Sequence, residues 1–323
     1  MNETQSNPEP EAVAIGVDLG GTRIKAGLVK LNGEILASFQ QDSPRTTSAL
    51  RDFVASVRKA AAVPLVGIGI GCKGVIDAKT TRVNCLPGNL NFLEGLLLKD
   101  LIGGDGLTVC ADNDARTALI AEVLWGSAKG RSNVVLLTLG TGIGGAALVD
   151  GVILRGHSGA GGHFGHVTLD VRGGLCICGN YGCVETYFSS RAIESDYFAH
   201  MHRASPTTLA VDKAGRIPNT EAIFEAAAKG DPSASRVLQL ALESLTASVV
   251  SLLHLFDPEV LILGGNMAAA GPQLLGPLEN EVARRTLVLL GRKVPIILQN
   301  AVGYGGVAGA AGLVFLQQKL LTI

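Results

Sequence analysis

Leu137–Ala146 reads LTLGTGIGGA. An apolar strand ends at Leu139, four glycines fall within Gly140–Gly145, and an apolar run resumes to Val149. The N-terminal part repeats the design: an apolar run from Ala12 to Val17 is closed by Asp18, then Leu19-Gly20-Gly21-Thr22, and Lys25–Lys30 turns apolar again. Glycines at such turns let backbone N–H groups approach a phosphate, and a carboxylate at the strand end can hold a magnesium ion through water. Neither stretch is GxxxxGK[ST], and each leads into a strand rather than a helix, so neither is a P-loop or a dinucleotide fingerprint. One such turn alone is also an ordinary hairpin. Two of them, one per half, point to phosphate handling in a repeated structure.

The surrounding pattern is α/β. Strands continue through the turn Leu31–Glu34 to Ile35–Phe39, and Thr47–Ala62 has helical spacing through Leu50, Phe53, Val54 and Val57. Pro64–Ile70 and Leu107–Ala111 read as buried strands, Asn84–Phe92 as loop, and Asp114–Trp125 as a helix. In the second half Asn133–Leu139, the run to Val149 and Val152–Leu154 read as strands, with Asp150-Gly151 as a hairpin turn. Helices are expected over Thr186–His202, Thr220–Ala228, Ser233–Phe256, Met267–Leu287 and Gly306–Gln318, with strands over Glu259–Leu263 and Val294–Leu298 and a loop over Ala204–Pro218. This organisation predicts a disordered tail over 1–12, an α/β domain over 13–128, and a second over 129–302. A closing helix within 303–321 is expected to pack on the first domain.

With 27 Lys and Arg against 28 Asp and Glu in 323 residues, no basic patch argues for nucleic acid. The polar start MNETQSNPEPE is no targeting signal, and the most membrane-like run, Ala301–Leu316, is too short and glycine-rich to span. No membrane association and a cytoplasmic setting are therefore expected. Gly305 and Gly309 in that run form a GxxxG pair, which also lets helices of soluble proteins pack closely.

His163–Glu185 reads HFGHVTLDVRGGLCICGNYGCVE. Cys176, Cys178 and Cys183 fall within eight residues, with His166 ten residues upstream. Three thiols and an imidazole at this spacing suit a tetrahedral structural zinc site, and Gly179 and Gly182 permit the turns it needs. The alternatives are three buried thiols or a disulfide; a disulfide runs against the absence of a secretion signal. Cys72, Cys85 and Cys110 stand in apolar contexts and read as small core residues.

GH followed by CxCGxxGCxE resembles the signature of the ROK family of repressors and sugar kinases. The resemblance implies an actin-like ATPase (ribonuclease H-like) fold of two related α/β domains with an interdomain cleft, and an ATP- and magnesium-dependent kinase acting on the 6-hydroxyl of a hexose. By the same resemblance Asp18, Gly20, Gly21, Thr22, Lys25, Gly140, Thr141, Gly142 and Gly144 would bind the nucleotide phosphates, and Gly264, Gly265 and Asn266 the adenosine side. ADNDA at Ala111–Ala115 fits the family's [ED]-N-D-A pattern. It makes Asp114 the catalytic base and Asn113 a sugar contact; the alternative for Asp114 is a plain helix cap. Asn89, His163, His166 and Glu185 would also contact sugar, His166 with its other nitrogen on zinc. A homodimer or homotetramer is implied as well. With only about a dozen residues before the first strand, the helix-turn-helix of the repressor branch is not expected.

Two positions depart from the family pattern. Lys73-Gly74 stands where the family has Pro-Gly, and His163 stands where E-x-G-H has its Glu. H-x-G-H resembles bacterial N-acetylmannosamine kinases, which keeps that substrate beside glucose. A non-catalytic sugar-binding regulator is the reading of a different class.

Overall fold

A computed structural model of the chain describes residues 12–86, 88–104, 106–202, 207–210, 217–300 and 304–323. Residues 1–11 of the expected tail and most of the expected loop 204–218 lie outside them. The chain divides into two compact units: residues up to 130 with 155–161 and 304–323, and residues 131–154 with 162–300.

The first unit contains β1 (Val13–Leu19), β2 (Arg23–Lys30), β3 (Ile35–Asp42), α1 (Thr47–Lys59), β4 (Leu65–Cys72), β5 (Val75–Asp77), β6 (Arg82–Cys85), α2 (Leu98–Ile102), β7 (Thr108–Asn113) and α3 (Asp114–Leu124). Its main sheet runs β3-β2-β1-β4-β7, antiparallel from β3 to β1 and parallel from β1 to β7. The second unit contains β8 (Val134–Leu139), β9 (Ile143–Val149), β10 (Val152–Ile153), α4 (Ser190–His202), α5 (Thr220–Ala228), α6 (Pro232–Phe256), β11 (Val260–Gly264), α7 (Pro272–Leu290) and β12 (Ile296–Leu298). Its sheet runs β10-β9-β8-β11-β12, again antiparallel over the first three strands and parallel over the rest. One topology is thus used twice, with a glycine hairpin joining the first two strands of each copy.

Three local readings change. The expected loop Asn84–Phe92 begins in β6, which pairs with β5, and ends in a 3-10 turn at Asn91–Leu93. The helix expected from Thr186 starts at Ser190, after a separate 3-10 turn over Val184–Thr186. The helix expected over Met267–Leu287 is two pieces, a 3-10 turn at Asn266–Ala270 and then α7. The break falls at Gly271, at φ 54° and ψ −120°, directly before a proline, which disfavours helical geometry in the preceding residue. Asp150 and Gly151 both have positive φ, as the hairpin signal requires.

Each unit has its own core. In the second, α6 buries the stripe Val237, Ala241, Leu245, Val249 and Leu252 against β8, β11 and α7 residues such as Leu137, Leu263 and Leu278. Among the described residues α6 is also the helix long and apolar enough to cross a membrane, rather than Ala301–Leu316; its apolar stripe belongs to this core. In the first unit α8 (Gly305–Gln317) lies on the sheet with Val307, Ala311, Val314 and Phe315 fully buried. Its docking depends on missing side chains. A Cβ on Gly16 of β1 would lie 1.9 Å from Val307 O, one on Gly69 of β4 1.7 Å from Ala310 O, and one on Gly309 1.7 Å from Thr117 O of α3. Trp125 closes the end of this layer edge-on to Phe315, with Nε1 donating to Leu31 O.

Gly309→Ala should therefore cost at least about 2–3 kcal/mol through overpacking, seen as a lower urea midpoint. Gly276→Ala, on open space in α7, should be neutral or stabilising by up to about 1 kcal/mol. Equal midpoints for the two variants would show that the α3–α8 contact tolerates a side chain.

Candidate functional site

In a parallel sheet, ligand groups gather beyond the carboxyl ends of the strands. In the first unit the ends of β1, β4 and β7 are in register, Leu19 beside Cys72 and Cys72 beside Asn113. Asp18 comes from β1, Lys73 from the residue after β4, and Asn113 and Asp114 from the β7–α3 junction. The β1–β2 turn Gly20-Gly21-Thr22 is held from the residue just after β3, where Ser43 Oγ donates to Gly20 O and Ser43 N to Thr22 O. Asn89 Nδ2 donates to Gly21 O, so the sugar-assigned asparagine is fastened to the phosphate-assigned turn. Lys25 pairs with Asp18 across the strands, and its ammonium lies 5.5 Å from the centre of the Tyr304 ring.

Asn113, not Asp114, caps α3. Its Oδ1 accepts from Ala115 N at 2.9 Å, and its Nδ2 donates to Gly74 O at 3.0 Å. The capping alternative for Asp114 therefore gives way: Asp114 is the first residue of the helix, with Oδ1 accepting from Ala115 N. Burial pushes its carboxyl above the ordinary range, against those hydrogen bonds and the charge of Lys73. Asp18 is pushed up to about 6 by burial, with the Asp114 charge adding and Lys25 opposing. Gly306 at the start of α8 leaves room for Asp18: a Cβ there would lie 2.9 Å from its Cγ.

One buried network was not visible in the sequence. Asp112 and Arg116 are 0% and 1% exposed, paired at 2.8 Å, and Arg155 Nε reaches the other Asp112 oxygen at 2.7 Å. Arg116 also donates to the carbonyls of Gly159 and Gly161. This fastens the segment Arg155–Gly161 beside the β7–α3 junction. The i,i+4 spacing of Asp112 and Arg116 was the available signal, but it straddles a strand end and a helix start.

In the second unit the β8–β9 hairpin carries Gly140, Thr141, Gly142 and Gly144, and the end of neighbouring β11 carries Gly264, Gly265 and Asn266. Gly265, at φ 84°, passes so close to Leu139 that a Cβ would lie 2.3 Å from its carbonyl oxygen. Glu185, assigned to sugar, is 8% exposed and lies against this hairpin. Its Oε2 accepts from Ile143 N at 2.9 Å, and a Cβ on Gly142 would come within 2.3 Å of that oxygen. Its Oε1 pairs with Arg191 at 3.1 Å, and Arg191 Nε donates to Thr141 O.

His163 and His166 bracket a 3-10 turn anchored by buried Phe164, which packs on Gly145 and Phe256; their ring centres are 6.3 Å apart. The ligand atoms of His166, Cys176, Cys178 and Cys183 lie within 4.8 Å of one another. Cys176 Sγ is 3.6 Å from His166 Nδ1, and Cys178 Sγ is 3.6 Å from Cys183 Sγ. A tetrahedral zinc with Zn–S of about 2.3 Å and Zn–N of about 2.05 Å separates such atoms by roughly 3.6–3.8 Å. The four side chains fit that ion. Gly182, where a Cβ would lie 1.7 Å from Asp170 O, lets the loop close.

The family model described as ROK family matches residues 14–317. The chain belongs to the ROK family. Among ROK relatives, the glucokinase of Streptomyces coelicolor is 34% identical over 309 residues, covering 93% of this chain and 97% of that one. The glucokinase of Thermotoga maritima is 31% identical over 313 residues, covering 94% and 98%. The crystal structure of a ROK glucokinase from Streptomyces griseus, in complex with glucose and AMPPNP, superposes with a TM-score of 0.77 at 32% identity, covering 94% of this chain and 99% of that one. The fold is accordingly the actin-like ATPase fold of ROK sugar kinases, and the repeated sheet is its hallmark.

The crowded carboxylates of this ROK site make a pH prediction. Folded Asp18 titrates near 6 rather than 3.8. Between those values the folded chain holds a proton that the unfolded chain has released, so Asp18 makes stability fall as pH rises through that window. Asp18→Asn should then be more stable than wild type above pH 6, by on the order of 1–3 kcal/mol, with the gain vanishing near pH 4. Thermal melts at pH 4, 6 and 7.5 check it, and an identical melting temperature at pH 7.5 would contradict it.

Proposed function

We propose that this chain is an ATP-dependent glucose kinase that transfers the γ-phosphoryl group to the 6-hydroxyl. The observation that carries the reading is the meeting of Asp18, the Gly20-Gly21 turn, Asn89 and Asp114 at adjacent strand ends. Asp114 is the base. As the sugar oxygen attacks the γ-phosphorus, the O–P bond forms, the bond to the β-phosphate oxygen breaks with its electron pair going to ADP, and Asp114 takes the hydroxyl proton. Its raised pKa suits that role. Asn113, by capping α3 and bonding Gly74 O, keeps the Asp114 carboxylate aimed.

The phosphates are assigned to Gly20, Gly21, Thr22, Lys25, Gly140, Thr141, Gly142 and Gly144, and the adenosine side to Gly264, Gly265 and Asn266. Asp18 would hold magnesium through water; a carboxylate whose ionised form is disfavoured by burial and by Asp114 gains from a nearby cation. Magnesium bound with ATP supplies charge neutralisation on the phosphates. The sugar hydroxyls are assigned to Asn89, Asn113, His163, His166 and Glu185. The Cys3His cluster is assigned to a structural zinc. His166 gives Nδ1 to the cluster side, so Nε2 keeps the proton and can donate to a sugar oxygen. Reduced thiols suit a cytoplasmic setting. Exposed Val171, Leu175, Ile177 and Tyr181 on the cysteine loop support a homo-oligomer.

A second reading, N-acetylmannosamine as acceptor, is favoured by His163, whose ring donates as well as accepts where the family's Glu only accepts. A coupled ADP-release assay over glucose, mannose, N-acetylglucosamine and N-acetylmannosamine decides between them. Glucose should give the highest kcat/KM, and Asp114→Asn should lose about 10²–10⁴-fold of that turnover while still binding sugar. Preference for N-acetylmannosamine would select the second reading. Sugar binding without turnover in wild type would make the chain a regulator.

Cys178→Ser should reduce bound zinc from one per chain, lower the melting temperature, and raise the sugar KM through His166 although no sulfur meets the sugar. Elemental analysis finding no zinc in the wild-type protein, purified without chelator, would remove the metal assignment.

A further inference from the structure

Lys73 is not explained by the roles assigned so far, and it stands where the ROK pattern has proline. It is the first residue beyond β4, one step past Cys72, which pairs with Leu19 on one side and Asn113 on the other. That places it level with the β1–β2 turn and with Asp114. Its backbone is fixed: Gly74 has φ 88°, a Cβ there would meet Cys85 O at 2.2 Å, and Gly74 O accepts from Asn113 Nδ2. Its ammonium is equally confined. A Cβ on Gly21 would lie 3.4 Å from Lys73 Nζ, and one on Gly88 also 3.4 Å. Nζ therefore lies over the phosphate turn, next to the Asn89 that is fastened to Gly21. No carboxylate among the described residues closes an ion pair with it. Its charge favours the ionised form of Asp114.

A half-buried cation held over a glycine turn, with no ion pair to a carboxylate among the described residues, is arranged for an anion. We propose that Lys73 is a catalytic cation of the phosphoryl transfer. Its ammonium faces the γ-phosphoryl group on the β1–β2 turn and offsets charge on the equatorial oxygens, next to the carboxylate that takes the proton. The proposal rests on the kinase reading above. Lys73 neither gains nor loses a proton: the new O–P bond, the departing ADP and the proton on Asp114 balance the step, and the ammonium acts by charge alone. It also favours the ionised form of Asp114 against the effect of burial, because removing a nearby cation raises a carboxyl pKa.

The test compares wild type with Lys73→Met, Lys73→Gln and Lys73→Arg in steady-state kinetics against MgATP and glucose, across pH 5 to 9, with circular dichroism to check folding. The expected result is a fall in kcat of about 10²–10³-fold for the neutral variants, little change in the KM for glucose, and partial recovery in Lys73→Arg. The acid limb of the kcat/KM profile should also move to higher pH in Lys73→Met or Lys73→Gln. A packing role alone would not move that limb. Lys73→Gln keeps a polar stem and carries the test if the Met variant folds poorly. Neutral variants with kcat within about twofold of wild type and an unmoved acid limb overturn the role of Lys73 and leave the kinase reading standing. Absence of turnover in wild type with every sugar overturns both.

Discussion

The close approach of α8 to the first sheet is the constraint on which the first unit depends. Gly16, Gly69 and Gly309 have no room for one more carbon, so the helix lies directly on the backbone of β1 and β4 and its flank lies on α3. Packing this tight removes freedom: α3 can occupy one position relative to β7, and Asp114 is its first residue. Gly306, one turn before Gly309, is also the residue that leaves space for Asp18. A chain segment almost 200 residues away from Asp114 thus sets where both carboxylates stand.

Local order at the strand ends is obtained at the expense of stability. Two acidic groups are buried near one another, and Asp18 is pushed up to about 6 as a result. A third, Asp112, is deeper still and is compensated by two arginines, with Arg116 reaching on to the carbonyls of Gly159 and Gly161. The contrast is informative. Asp112 is fully matched and acts as a structural joint. Asp18 and Asp114 are left partly unmatched, which is the condition under which a carboxylate binds a cation or takes a proton.

Much of this was legible in the chain because the signals are local. Glycine turns between apolar runs announced both hairpins, ADNDA announced the β7–α3 junction, and CxCGxxGC announced the Cys3His cluster, whose four ligand atoms the fold brings within 4.8 Å of one another. What was not legible depends on contacts between distant segments. Nothing near Glu185 says that its carboxylate accepts from Ile143 N, and nothing near Arg116 says that it holds a loop more than 40 residues later. The split at Gly271 was hidden differently: the apolar spacing of Met267–Leu287 continues across it, and only the glycine-proline pair marks the interruption.

The repeated sheet has one asymmetry with a consequence for how such proteins diversify. In the first copy four residues, 43–46, separate β3 from α1; in the second, 36 residues, 154–189, separate β10 from α4. His163, His166, Glu185 and all three clustered cysteines lie in that single insertion, whereas the glycine hairpins lie in the part common to both copies. The insertion and the glycine turns thus come from different stretches of chain, joined where Glu185 accepts from Ile143 N and Phe164 packs on Gly145. Changes at Glu185 or Phe164 therefore reach the β8–β9 hairpin, so the insertion and the common sheet vary together at those two points.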